Sequence, residues 1–291
     1  MTDAASVGAA RDGWTVLLPV KVLARAKSRL AVLAGARRCE LALALASDTV
    51  SAVVACPEVA RVIVITSDRL AAPRLSALGA VVVADIAANL QDAGLDGPGG
   101  LGTLSEAEIG SQDGLNAALR HGAAVAARRW PGTGLAALTA DLPALRPAEL
   151  SAALRAAHAA TTGMAATTGT GSDGRADRGT GRSAFVPDAA GVGTTLYAVA
   201  PGEEFRPDFG GASRIRHAAG GAIELVLGDA PGIRQDVDTP ADLRAAIALG
   251  AGYRTVALAA ELLAGSDMDD RAGQSPRDPL HGLDLGRDQL A

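Results

Sequence analysis

The chain predicts an α/β layered domain on a mostly parallel sheet. Three observations carry this. Short apolar runs alternate with segments of helical periodicity along most of the chain. The run R-V-I-V-I-T at residues 61–66 is continuously apolar and β-branched, as strands covered on both faces are. Pro and Gly punctuate the helical segments at the ends where each is tolerated.

In order, residues 14–20 form an apolar run too short for a helix and read as the first strand. Residues 37–55 carry apolar side chains at helical spacing and stop before Pro57. Residues 61–66 are the second strand, followed by a short helix over 70–78 closed by Gly79 and a third strand over 80–84. A helix over 114–130, a strand over 135–139 and a helix over 147–159 opening on Pro147 follow. Farther on, Thr239 as N-cap, Pro240 at the first helical position and Asp242 three residues after the cap predict a helix over 241–249.

Two glycine-rich stretches, 85–113 and 167–182, break the alternation and read as mobile surface insertions. Residues 265–291 lack apolar periodicity and read as a disordered tail. The expected domain therefore spans 14–250 as one unit.

Composition narrows the function. Among 291 residues, 27 Lys+Arg against 32 Asp+Glu give a net charge of -5, which argues against a basic nucleic-acid-binding face. Aromatics are only 2%, too few for base-stacking platforms. The two cysteines, Cys39 and Cys56, lie about 25 Å apart if both sit on the predicted helix, beyond disulfide reach. No signal peptide or membrane span is apparent, so a cytoplasmic protein without a membrane partner is expected.

Several familiar motifs drop out. G-x-G-x-x-G occurs at Gly97-Gly99-Gly102 and Gly169-Gly171-Gly174, but both lie inside the insertions and neither joins a strand to a helix. No P-loop or G-x-S-x-G elbow exists, and the four histidines show no metal-ligand spacing.

Four constellations remain. Residues 19–30 place Lys21, Arg25, Lys27 and Arg29 just past the first strand, at the sheet edge where α/β proteins bind ligands; a polyanion such as a triphosphate would suit them. Asp141 follows an apolar strand in L-T-A-D-L-P, suited to a hard cation such as Mg²⁺ or simply to a turn. Asp236 and Asp238 would face one side of an extended segment, and like charges share a face most readily around a cation. G-V-G-T-T at 191–195 and F-G-G-A-S-R-I-R-H at 209–217 offer backbone N–H groups and hydroxyls for an anion. Together they ask for a polyphosphate, a metal and a second phosphate on one sheet, which describes nucleotidyl transfer.

The ordered set P-V-K…A-K-S-R-L (19–30), G-L-N-A-A-L (114–119), A-D-L-P-A-L (140–145), G-V-G-T-T, F-G-G-A-S-R-I-R-H and D-V-D-T-P-A-D-L (236–243) resembles the guanylyltransferases of coenzyme F-420 biosynthesis, which act on phosphoenolpyruvate or 2-phospho-L-lactate. The resemblance implies a nucleotidyltransferase fold of the nucleotide-diphospho-sugar transferase type, a Rossmann-like three-layer sandwich with about seven strands in a mixed sheet. It implies Thr194, Gly210 and Ser213 as phosphoenolpyruvate contacts. Asp141, Asp236 and Asp238 would be catalytic metal ligands for Mg²⁺, and Lys21, Lys27 and Arg29 would hold the GTP phosphates. Asn116 matches a family position to which no role is given. The resemblance further implies a downstream lactyl-transferring enzyme as pathway partner, and a homodimer is a possible assembly. The alternatives are a 3-phosphoglycerate acceptor, a sugar-phosphate or molybdopterin-type nucleotidyltransferase, and a non-catalytic nucleotide-binding regulator. The sugar-phosphate type usually has a glycine-rich loop after the first strand, and this chain has no glycine there before Gly35.

Overall fold

A computed structural model describes residues 13–85, 112–163 and 183–272. The four expected strands are present as β1 (Trp14–Pro19), β2 (Val59–Ile65), β3 (Val81–Val83) and β4 (Gly134–Leu138). Between them lie α1 (Ala31–Ala34), α2 (Arg38–Val54), α3 (Ala71–Ser76) and α4 (Gln112–Arg129), and α5 (Pro147–Gly163) follows β4. The rest comprises β5 (Ser183–Pro187), β6 (Thr194–Val199), α6 (Ser213–Ala219), β7 (Ile223–Glu224), α7 (Pro240–Ala248) and α8 (Tyr253–Ala272).

One sheet has the order β3-β2-β1-β4-β6-β5-β7. Strands β1 to β4 pair in parallel, β6 runs antiparallel to both β4 and β5, and β7 pairs in parallel with β5. The mixed, mostly parallel sheet is thus as expected. The chain goes from β1 outward to β3 on one side, then returns to place β4 on the other. That reversal opens a crevice at the strands' carboxyl ends, where α/β sheets bind ligands.

Strand periodicity sorts the core into two layers. Val16, Leu18, Val64, Leu138, Val186 and Leu196 face α2 and α5. Leu17, Ile63, Ile65, Ala137, Phe185 and Tyr197 face α4. With aromatics so scarce, close approach substitutes for bulk: Gly122 on α4 sits where a Cβ would come within 2.9 Å of the Ile65 side chain. A third cluster, including Leu30, Leu41, Leu45, Val237, Leu243 and Leu258, locks α7 and α8 onto α1 and α2. Each fully buried Leu contributes about 2 kcal/mol.

Local signals at α7 hold. Thr239 accepts from the Asp242 N–H, while Asp242 accepts from the Thr239 N–H at 2.7 Å, a reciprocal capping box. Other expectations need correcting. The domain does not end at 250, and residues 265–272 are helical: α8 continues to Ala272. Its start is fastened to α2, where buried Asp48 accepts the Thr255 N–H at 2.8 Å and pairs with Arg254 at 3.1 Å. Apolar periodicity was too sparse in this segment to show that helix. Most of both glycine-rich stretches, with their G-x-G-x-x-G matches, and residues 273–291 lie outside the described residues. Cys39 and Cys56 are unpaired. No described helix is long and apolar enough to cross a membrane.

Candidate active site

The floor of the crevice begins where Pro19 ends β1. The Val20 N–H still donates to Ile65 O at 2.9 Å, and the Leu23 N–H donates to Asp68 Oδ2 at 2.8 Å. Asp68 also accepts the N–H groups of Leu70 and Ala71, so one buried carboxylate ties the basic loop to the start of α3. Burial would raise its pKa, but three backbone donors outweigh that and hold it below the ordinary carboxylate value.

Lys27 then adopts φ 54°, the one left-handed non-glycine residue among those described. That conformation costs on the order of 1 kcal/mol. It belongs to a loop that turns the side chain inward, where Nζ donates to Asp141 Oδ2 and to Asp238 Oδ1, the latter at 2.8 Å. The Lys27 side chain is 12% exposed. Burial works against its charge, yet the two carboxylates prevail and its pKa lies above the ordinary lysine value.

Asp141 follows β4, and its carbonyl accepts the Val237 N–H at 3.1 Å, which stitches residues 236–238 to the end of that strand. Val237 is fully buried, so Asp236 and Asp238 flank an anchored residue and both reach the crevice. Burial, and then the charges of Asp141, Asp238 and Asp188, push the Asp236 carboxyl up to about 7. Asp238 moves the other way: burial opposes its charge, but Lys27 holds it below the ordinary value. Asp141 Oδ1 and Thr139 Oγ1 are buried without a partner. Three carboxylates, one shared ammonium and an orphaned carboxylate oxygen fit a hard divalent cation, which prefers oxygen ligands. Among the described residues, however, no three acidic, His or Cys side chains stand as a ready-made metal group, and Lys27 bridges two of these carboxylates.

The opposite wall is formed by hydroxyls, glycine amides and a neutral imidazole behind them, with Asp188 as its one carboxylate among the described lining residues. Thr194, at the start of β6, lies 2.9 Å from His217 Nδ1, and His217 Nε2 accepts the Asp208 N–H at 3.0 Å. Asn116 on α4 brackets Phe209: its Nδ2 donates to Phe209 O at 3.1 Å, and its Oδ1 accepts the Phe209 N–H at 2.9 Å. That clamp presents Gly210 and Gly211, whose φ values of 104° and 42° suit only glycine. No described residue accepts from their N–H groups, so the turn offers two free donors to an anion. Ser213 follows, almost fully buried. Helix α6 is only seven residues long, so its dipole adds less than the F-G-G-A-S pattern suggests. Asp188 holds the neighbouring turn, accepting the Val192 and Gly193 N–H groups at 2.9 and 2.8 Å.

All nine sequence-predicted site residues, Lys21, Lys27, Arg29, Asp141, Thr194, Gly210, Ser213, Asp236 and Asp238, line one cavity of about 840 Å³. Lys21 and Arg29 stand exposed at its rim, whereas Lys27 lies on the carboxylates. Sequence reasoning missed Asp68, Asp188 and His217 and left Asn116 without a role. His217 closes a motif that was already singled out; Asp188, between a Pro and two alanines, reads as an ordinary turn residue.

Comparison with known proteins identifies relatives of this chain. No family model matches the chain. It is 50% identical over 249 residues to a phosphoenolpyruvate guanylyltransferase of Thermomonospora curvata, covering 86% of this chain and 90% of that protein. It is also 50% identical over 251 residues to a phosphoenolpyruvate guanylyltransferase of Streptomyces coelicolor, covering 86% and 97%. Among solved structures, a protein provisionally named a nucleotide-diphospho-sugar transferase from Desulfovibrio desulfuricans superposes with a TM-score of 0.52 at 15% identity, over 90% of this chain and 98% of that one. That likeness concerns the fold alone and matches the sheet described above.

Proposed function

The chain belongs to the phosphoenolpyruvate guanylyltransferase family, and from that premise we propose that its cavity joins GMP from GTP to phosphoenolpyruvate, releasing pyrophosphate, in coenzyme F-420 biosynthesis. One observation carries the reading: a carboxylate–lysine floor and an anion-binding wall share a single cavity. A phosphate oxygen of phosphoenolpyruvate forms a bond to the α-phosphorus of GTP, and the bond to the bridging β-phosphate oxygen breaks in line. The electron pair leaves with pyrophosphate, and the product is enolpyruvyl-2-diphospho-5'-guanosine.

The attacking phosphate is already largely dianionic at neutral pH, since a phosphate monoester loses its second proton near about pH 6. A strong general base is therefore unnecessary. His217, packed behind Thr194, agrees, because both of its ring nitrogens are engaged. Catalysis rests on positioning and charge. The free Gly210 and Gly211 amides, with Thr194 and Ser213, hold the acceptor, while Lys21 and Arg29 at the rim face the triphosphate. Lys27, half-buried and bound to carboxylates, could transfer its charge to phosphate oxygens. Asp141, Asp236 and Asp238 would hold Mg²⁺. Once bound, the ion would neutralise phosphate charge and act as a Lewis acid at the transferred group.

The deciding assay offers the purified protein Mg²⁺ with each nucleoside triphosphate and each of phosphoenolpyruvate, 2-phospho-L-lactate and 3-phosphoglycerate. Pyrophosphate and product mass are read. Turnover is expected with GTP and phosphoenolpyruvate; preference for another acid would move the acceptor assignment, and pyrophosphate release independent of any acid would end it. We place the reaction in the cytoplasm, where unpaired cysteines are usual. Its product, a diphosphate diester, suits a downstream enzyme of the lactyl-transferase type that would pass on the phosphoenolpyruvyl group and release GMP. A homodimer is proposed as the working assembly, for sedimentation analysis to test.

A further inference from the structure

The anion-binding wall holds a buried titratable group that the reaction above does not use. His217 is 3% exposed, stacked on Tyr197 at 4.7 Å and 19°, with Phe209 edge-on at 5.3 Å. It does not line the cavity itself; Thr194 does. Its hydrogen-bond partners determine where the ring hydrogen resides. The Asp208 N–H can only donate, so Nε2 must be the bare, accepting nitrogen. A neutral imidazole has a single N–H, which is therefore on Nδ1, 2.9 Å from Thr194 Oγ1.

The polarity propagates one atom further. Thr194 Oγ1 accepts from Nδ1, and its own hydrogen has no acceptor among the described residues. The cavity is the remaining direction for that hydrogen. We infer that His217 is a positioning residue that makes the Thr194 hydroxyl a fixed donor aimed at an anionic oxygen of the acceptor substrate. The inference deepens the proposed function and rests on Thr194 as an acceptor contact.

The chain is polarised from end to end: backbone N–H to Nε2, Nδ1–H to Oγ1, and O–H to ligand. A hydroxyl free to rotate would spend part of its time presenting a lone pair, which repels phosphate or carboxylate. Fixing the donor beforehand removes that ordering cost from binding. The groups around the ring keep it neutral. Burial pushes its pKa down to about 4; Asp208 opposes that shift and Arg216 adds to it. A cationic ring would need a hydrogen on Nε2, where the Asp208 N–H already points.

The test joins a spectroscopic and a kinetic readout. In the wild-type protein at pH 7, long-range ¹H–¹⁵N correlation of the His217 ring should show its hydrogen on Nδ1 alone. Hydrogen on Nε2, or on both nitrogens, overturns the inference without any variant. In steady-state assays, Thr194→Val should raise KM for phosphoenolpyruvate about tenfold, and His217→Phe, which keeps the stacked ring, about fivefold. KM for GTP should stay within about twofold in both. The double variant should be no worse than the weaker-binding single variant, because the second change removes what the first already disabled. His217→Asn, whose amide can still donate to Oγ1, should stay within about threefold of wild type. If the two single effects multiply, His217 does not act through Thr194 and the inference fails alone. If Thr194→Val leaves KM for phosphoenolpyruvate unchanged, the acceptor assignment itself has failed. Should His217→Phe not fold, the ring-nitrogen spectrum and His217→Asn alone and combined with Thr194→Val decide the matter.

Discussion

On the floor of the cavity, Asp141 and Asp238 share the Lys27 ammonium beside Asp236, and Asp141 Oδ1 is buried with nothing to accept. On the facing wall, Asn116 and His217 each make two matched hydrogen bonds to groups that present the Thr194 hydroxyl and the Gly210-Gly211 turn. Burying uncompensated negative charge is costly in a folded protein, so the floor is arranged for a ligand that completes it. The supporting groups of the wall are paired already, so the donors it leaves free are held in place. Charge that awaits a partner and dipoles set in advance are two ways of binding phosphate, and here they face each other across one site.

Removing a floor carboxylate breaks the comparison most strongly. Asp236→Asn and Asp141→Asn should each lower kcat roughly a hundredfold or more at saturating Mg²⁺. Thermal stability measured in chelator should hardly fall. Near-normal turnover would show that the floor does not hold the metal.

Asn116→Ala should behave in the opposite sense. It strands the buried Phe209 backbone groups, so a stability loss of about 2–3 kcal/mol is expected in denaturant titration. KM for phosphoenolpyruvate should rise more than KM for GTP. An unchanged stability would mean that the clamp is dispensable.

Lys27→Met sharpens the floor's side of the contrast. With its internal counter-ion gone, the floor should lose stability in chelator and regain it with Mg²⁺, so that the Mg²⁺-induced rise in Tm exceeds that of the wild type. An equal or smaller rise would show that the lysine and the ion do not compete for the same oxygens.

The smallest effects concern pH, and the two sides should respond with opposite sign. Asp236 has a raised pKa of about 7 in the fold, so its contribution is full below the unfolded value of about 4 and is lost as pH rises through 7. Without metal, Asp236→Asn should therefore gain on wild type, by a few degrees in Tm at most, between pH 5 and 8. His217, depressed to about 4, contributes above its unfolded value near 6.5 and loses that contribution as pH falls through 4. The deficit of His217→Asn relative to wild type should accordingly shrink from pH 7.5 to 4.5. Parallel pH trends in the two variants would contradict the contrast.

Much of this was legible in the chain itself. Alternating periodicity predicted the first four strands and the helices α2, α3 and α4 between them, though not the short α1, because each longer element answers to a local pattern of burial. Thr239, Pro240 and Asp242 predicted the start of α7 for the same reason: a cap is satisfied within one turn. Strands β5, β6 and β7 were not predicted, and neither was the helix after residue 250, whose start is fastened by Asp48, far away in sequence.

The sequence by itself determined which residues stand at the carboxyl edge of the sheet, since a parallel α/β alternation sends each post-strand loop there. Only the tertiary structure decided what they do to one another. Lys27 meets Asp141 across 114 positions and Asp238 across 211. Asn116 meets Phe209 across 93. No local propensity selects such pairs. They form because packing on the two faces of the sheet brings distant loops to one edge, where desolvation leaves buried charges and donors only each other to satisfy.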